Sequence, residues 1–254
     1  MQYKKNLGQH FLKDQNIVDK LVRYINPSVH DEIIEVGPGD GVMTKSIINK
    51  VKKMVLIEKD SDLIENLKNN FSACHNSSII SADILKYDLN SLEKPMRVIG
   101  NLPYNISTEI IFKMCNCNKV IDMHFMLQKE VVDRIVAKSN SKIYGRLSIM
   151  AQAYFNVKKL FDISENVFSP KPKVKSSFIR LSAKKYPFYN KNHENIFYDI
   201  VKSAFEGRRK MIKTSLKSYL NTSDFKNINL KPDLRAENLT VNDYILISDY
   251  VQKI

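Results

Sequence analysis

Between residues 32 and 181, short apolar runs alternate with stretches of helical pattern. Few folds accept that alternation other than a mostly parallel sheet flanked by helices. The run Glu32–Val36 leads into Gly37-Pro38-Gly39-Asp40-Gly41 and a helical stretch over residues 42–49. Residues 54–57 end in Glu58, before a helix capped near Asp60 or Ser61. Shorter runs at 78–80, before Asp83, and at 97–100, before Asn101, read as further strands. Residues 120–127 predict a buried strand and 129–137 a helix, and residues 157–163 and 175–181 predict a terminal antiparallel pair. The sum is a seven-stranded α/β layer.

The chain has 254 residues, more than such a layer requires. After Ala183 the texture changes: Lys184-Lys185-Tyr186-Pro187 reads as a linker, and the residues beyond Pro187 have a helical pattern. Phe197, Val201 and Phe205 recur at helical spacing, as do Tyr244, Ile247 and Val251 behind a Thr240 and Asp243 cap. Two domains are therefore expected, a sheet domain over residues 1–183 and a small all-helical domain over 184–254.

Formal charge is +13, and its distribution is uneven. Residues 1–133 carry 17 basic and 17 acidic side chains, whereas residues 134–193 carry 13 basic ones against only Asp162 and Glu165. A surplus gathered this way is either a solvated lysine face or a footprint for a polyanion. A membrane surface fits less well, because Gly145, Pro170 and Pro172 interrupt any single basic amphipathic helix. Cys74, Cys115 and Cys117 are too few for a disulfide framework and lack a second Cys/His pair for zinc, so no metal is expected. The first residues lack the apolar core of a leader peptide and no run approaches membrane-span length, which predicts a cytoplasmic protein.

A glycine cluster between strand and helix lets backbone approach a ligand, and an acidic residue ending the next strand can grip a ribose diol. Gly37, Gly39 and Gly41 meet the first condition, and Glu58, 17 residues beyond Gly41, meets the second. The plainer reading of Gly-Pro-Gly-Asp-Gly is a tight turn. Pro38 removes an amide donor that a pyrophosphate would use, so a ligand with an adenosine but no phosphates fits better, and S-adenosylmethionine is such a ligand. Asp83 is placed to accept from an adenine amino group, or to cap a helix.

Asn101-Leu102-Pro103-Tyr104 follows the fourth strand, where an open α/β sheet presents its ligands. The lone pair of an exocyclic amine is delocalised into its ring. Acceptors for its N–H protons, the Asn101 side-chain oxygen and a main-chain carbonyl of the Leu102–Pro103 turn, would draw that pair out and aim it. Tyr104 could stack on the base. The plain reading is a strand-end cap followed by a Pro-Tyr turn. Phe168 lies in a proline-stiffened basic loop with Lys171, Lys173 and Lys175, as a stacking platform for nucleic acid or as a packing anchor.

These residues belong to a wider pattern. Residues 6–12 (Asn-Leu-Gly-Gln-His-Phe-Leu), 35–39 (Glu-Val-Gly-Pro-Gly), 100–108 (Gly-Asn-Leu-Pro-Tyr-Asn-Ile-Ser-Thr) and 122–131 (Asp-Met-His-Phe-Met-Leu-Gln-Lys-Glu-Val) are joined by 144–148, 168–174, 208–210 and 234–238. Together they resemble the ribosomal RNA adenine dimethyltransferases of the bacterial KsgA type, relatives of the erythromycin-resistance methyltransferases. The resemblance implies an α/β Rossmann-like S-adenosylmethionine-dependent methyltransferase fold with a small C-terminal all-helical domain. It implies dimethylation of two adjacent adenosines in a hairpin near the 3′ end of small-subunit ribosomal RNA, during maturation of the small subunit. Carried over by position, methyl-donor contacts fall on His10, Leu12, Gly37, Gly39, Glu58, Asp83 and Asn101, and base handling on Asn101, Leu102, Pro103, Tyr104 and Phe168. RNA contacts fall on Lys171, Lys173 and Lys175 and on Arg208, Arg209 and Lys210 of the helical tail. One departure is His10, where many members carry Asn. The alternatives are a resistance-type enzyme acting on large-subunit RNA and a non-catalytic assembly factor; a monomer is expected because the RNA-bearing partner is itself large.

Overall fold

A computed structural model of the chain describes residues 9–254. Residues 6–8 of the N-terminal motif, and the stretch on which the leader-peptide expectation rests, lie outside the described residues. The chain forms two compact units, one of residues up to Val132 with Lys158–Ala183, the other of Asp133–Val157 with Lys184–Ile254.

The first unit opens with β1 (Phe11–Leu12) and α1 (Gln15–Ile25). Asp14 caps α1 by accepting from the amides of Asn16 and Ile17, and Val18, Leu21, Val22 and Ile25 form its buried stripe. Next come β2 (Glu32–Val36), α2 (Val42–Ile47), β3 (Lys53–Glu58), α3 (Ser61–Phe71) and β4 (Ser77–Ser81). Asp60 caps α3, whose Leu63, Ile64, Leu67 and Phe71 are buried. In chain order they are followed by β5 (Met96–Asn101), α4 (Ser107–Cys115), β6 (Val120–Gln128), α5 (Lys129–Ile135), α6 (Arg146–Tyr154), β7 (Phe155–Ile163), β8 (Phe168–Ser169) and β9 (Ser176–Ala183), of which α6 belongs to the second unit.

Seven strands form one sheet in the order β4-β3-β2-β5-β6-β9-β7. β2 is parallel to both β3 and β5, β5 is parallel to β6, and β9 runs antiparallel to β6 from Asp122↔Ser182 to Gln128↔Ser176. The strand order reverses at β2, so the chain leaves β2 toward β3 and β4 and returns to β5 on its other side. A crevice opens at such a reversal, beyond the carboxyl ends of the strands. A separate two-residue ladder pairs β1 with β8, Phe11 opposite Ser169 and Leu12 opposite Phe168.

The second unit adds α7 (Lys191–Glu206), α8 (Ile212–Ser215), α9 (Thr222–Asn227) and α10 (Val241–Lys253). Phe197, Ile200, Val201 and Ala204 of α7 and Tyr244 and Ile247 of α10 are fully buried, and the Thr240 and Asp243 capping box starts α10. Residues 133–157 were expected with the sheet domain and instead join this unit. Main-chain and side-chain bonds hold them there: the Asn140 amide donates to the Glu237 carbonyl at 2.8 Å, Asn238 Nδ2 to Asn140 Oδ1 at 2.8 Å, and the Tyr154 hydroxyl to Glu194 Oε1 at 2.7 Å. The basic surplus is divided accordingly. Residues 134–157 hold four of its eleven charges, 158–183 four, and 184–193 three. No helix among the described residues is long and apolar enough to cross a membrane.

Candidate active site

The carboxyl ends of β2 to β5 surround a cavity of about 270 Å³. His10, Leu12, Gly37, Gly39, Glu58, Asp83, Asn101, Leu102, Pro103 and Tyr104 all line it, so the two sequence motifs and the segment around β1 converge on one space. The β2 end turns through Gly37 and Gly39, both at positive φ (63° and 62°). A Cβ on Gly39 would come within 3.0 Å of the Phe11 ring, so this glycine also admits the β1 segment beside the loop.

Main chain holds the Glu58 carboxylate in place. Its Oε1 accepts from the amides of Lys59 (2.8 Å) and Asp60 (2.9 Å), while Oε2 has, among the described residues, only the 3.4 Å approach of the Gly39 amide and keeps lone pairs for a further donor. Asp83 caps the turn that follows β4 and is ion-paired. Oδ1 accepts from the Leu85 amide at 3.0 Å, a local cap, and Oδ2 from Lys59 Nζ at 2.8 Å. The Lys59 bond, then the Leu85 amide, hold its carboxyl below the usual range, so it stays an acceptor at neutral pH.

Asn101 ends β5, and its Nδ2 donates to the carbonyl of His10 at 2.8 Å. That bond fixes the direction of the carboxamide and leaves Oδ1 as the atom free to accept from a ligand. The His10 ring bonds through Nδ1 to the Pro170 carbonyl at 2.7 Å and lies 5.3 Å from the Tyr104 ring. Tyr104, half-buried, shares a 2.7 Å hydrogen bond with the Ser176 hydroxyl; burial raises its own pKa and the Ser176 bond partly offsets this.

One expectation is corrected. Phe168 is 4 % exposed and packs in the apolar cluster with Leu12, Val18 and Phe178, so it is a packing anchor under β1 and offers no face to a base. Arg208 is exposed, and its guanidinium donates within its own unit to Glu237 (2.8 and 3.0 Å) and to the Lys142 carbonyl. Arg209, Lys210, Lys171, Lys173 and Lys175 are exposed, and Lys171 lies 3.7 Å from Glu165.

The sequence reading overlooked Glu35 as a site residue. It is 1 % exposed yet lines the cavity, with the Thr44 hydroxyl donating to its Oε2 at 2.6 Å. Burial pushes its carboxyl up to about 7, and neighbouring Asp40 and Glu58 add to the rise. The available signal was its place two residues before Gly37, within the otherwise apolar run of residues 33–36.

The strand order, the acidic residue closing β3 and the polar turn closing β5 define a Rossmann-like methyltransferase fold with its site at the switch point. The same fold is seen in a dimethyladenosine transferase from Plasmodium falciparum (TM-score 0.82, 22% identity, 94% of this chain and 96% of that one). It is seen again in the 23S rRNA methyltransferase ErmE (TM-score 0.74, 19% identity, 95% and 99%). The family model described as "Ribosomal RNA adenine dimethylase" matches residues 1–253, and the chain belongs to that family. Its relatives include the protein named ribosomal RNA small subunit methyltransferase A of Wigglesworthia glossinidia brevipalpis, 44% identical over 253 residues (96% of each chain). The protein of the same name in Francisella tularensis subsp. novicida is 42% identical over 262 residues (99% of this chain, 100% of that one).

Proposed function

We propose that the protein transfers methyl groups from S-adenosylmethionine to the exocyclic amines of two adjacent adenosines in small-subunit ribosomal RNA, in the cytoplasm, as the subunit matures. The observation that carries this reading is the fixed carboxamide of Asn101, whose Nδ2 is spent on the His10 carbonyl so that Oδ1 faces its task as an acceptor. The donor supplies an electrophilic methyl on a sulfonium.

Glu58 Oε2 suits a ribose hydroxyl and the Asp83 carboxylate an adenine amino group, both on the cavity wall. Asn101 Oδ1 and the Leu102 carbonyl would accept the target amine's N–H protons, localising its lone pair and aiming it, while Tyr104 flanks the base. The amine forms its N–C bond as the S–C bond breaks, and the resulting cation gives its proton to water, so no side chain need act as base. Small-subunit RNA as the acceptor is supported by the names of the relatives at 38 to 44% identity.

Incubation with labelled S-adenosylmethionine and immature small subunits, large subunits or DNA tests the reading. Label should enter RNA of the small subunit. Label on DNA, or on large subunits alone, would overturn it.

A further inference from the structure

Residues 171–175 carry three exposed lysines, and each end of this stretch is tied to a residue of the cavity wall. At one end the His10 ring bonds the Pro170 carbonyl at 2.7 Å; at the other the Tyr104 hydroxyl pairs with Ser176 Oγ at 2.7 Å. The partners are 160 and 72 residues apart in sequence, so neither tie is a local turn. A carbonyl can only accept, so Nδ1 of His10 carries the proton. Ser176 is fully buried, Pro172 between the ties is buried, and the Lys175 carbonyl accepts from the Lys129 amide at 2.9 Å. The lysine heads stand in solvent on a backbone stretch held at both ends.

His10 does more than hold one end. Its carbonyl receives Asn101 Nδ2, and its ring lies 5.3 Å from Tyr104. The residue that ties the lysine segment therefore also orients the amide at the cavity.

We propose that His10 and Ser176 are positioning residues that lock residues 171–175 to the cavity wall, so that phosphates gripped by Lys171, Lys173 and Lys175 set where the acceptor base meets Asn101 and Tyr104. This rests on the proposed RNA methylation. Lysines on a loose segment still attract RNA; on a locked segment they also register it, and misplacement by about 1 Å can cost a rate factor on the order of 100. The two ties thus act on the transfer step more than on binding.

His10→Ala and Ser176→Ala each open one tie; His10→Asn places an amide Nδ2 where the imidazole Nδ1 stands and preserves the bond. Two readouts are combined, single-turnover methyl transfer with separate donor and RNA affinities, and hydrogen exchange of the amides of Lys171, Lys173, Val174 and Lys175 in the free protein. Each alanine variant should slow transfer by about tenfold or more while donor and RNA affinities stay within about threefold. Exchange in the segment should rise in both alanine variants, and His10→Asn should recover most of each loss. The proposal is overturned if exchange is unchanged in the alanine variants, if His10→Asn matches His10→Ala, or if transfer falls only in proportion to an affinity. Ser176→Ala carries the test alone should His10→Ala unfold. A wild-type protein that methylates no RNA would refute the proposed function, and exchange would still decide whether the ties lock the segment.

Discussion

Glu58→Gln tests the donor site at a single atom. Oε1 of Glu58 already accepts from the amides of Lys59 at 2.8 Å and Asp60 at 2.9 Å, whereas among the described residues Oε2 has only the Gly39 amide at 3.4 Å. An NH2 group in place of Oε1 would face two donors, so the carboxamide must keep its oxygen there and turn its NH2 toward Gly39 and the cavity. The variant retains the main-chain bonds at the end of β3 and loses the anionic acceptor offered to a ribose. A hydrogen bond to a charged group contributes about 1.5–3 kcal/mol. Affinity for S-adenosylmethionine should therefore fall roughly 10- to 150-fold. Titration calorimetry measures it, with thermal unfolding as the control for structure. A folded variant that binds within about threefold of wild type would refute the assignment of Glu58 to the ribose.

Asn101→Ala removes the positioned acceptor, and single-turnover transfer should drop by about 10²–10³-fold with RNA affinity retained; lost RNA binding with normal turnover would contradict its role. Burial holds the Glu35 carboxyl at about 7, above its ordinary 4.5. The unfolded chain gives up that proton first as pH rises, so native stability declines between those two values, by about 3 kcal/mol in all, and is level above them. Glu35→Gln stays neutral and should raise the unfolding free energy over wild type at pH 8 but not at pH 4.5; equal differences at both would contradict the burial argument. A Cβ on Gly100 would lie 2.6 Å from the Val36 carbonyl of the neighbouring strand, so Gly100→Ala should lower stability to urea by about 1–3 kcal/mol. No loss would mean that β2 and β5 are not packed this closely.

Most of the sheet was legible because β2, β3, β5 and β6 are buried on both faces and read as apolar runs, and the strand ends are marked by Gly37, Glu58, Asp83 and Asn101. Those same closing residues carry the candidate site, which is why most of the cavity wall could be named in advance. α1 was equally visible, with Asp14 as its cap and a stripe at Val18, Leu21, Val22 and Ile25, and was passed over because it lies before the glycine motif. Other features leave no local trace. The two-residue ladder of β1 and β8 joins segments more than 150 residues apart, and its pairing of Leu12 with Phe168 turns an aromatic in a basic loop into core. Residues 133–157 continue the helix and strand pattern without a break, and only their bonds to Glu237, Asn238 and Glu194 assign them to the helical unit. Arg208 reads as a free cation until Glu237 is placed beside it.

The central claim is the identity of the modified atom. Immature small subunits incubated with the protein and S-adenosylmethionine, then digested to nucleosides and resolved by mass spectrometry, should yield N6,N6-dimethyladenosine, with both modified residues adjacent in one fragment of the small-subunit RNA. Methyl groups on another nucleoside, or on a ring nitrogen or ribose oxygen of adenosine, would contradict the reading of Asn101 and Tyr104 as the residues that aim an exocyclic amine.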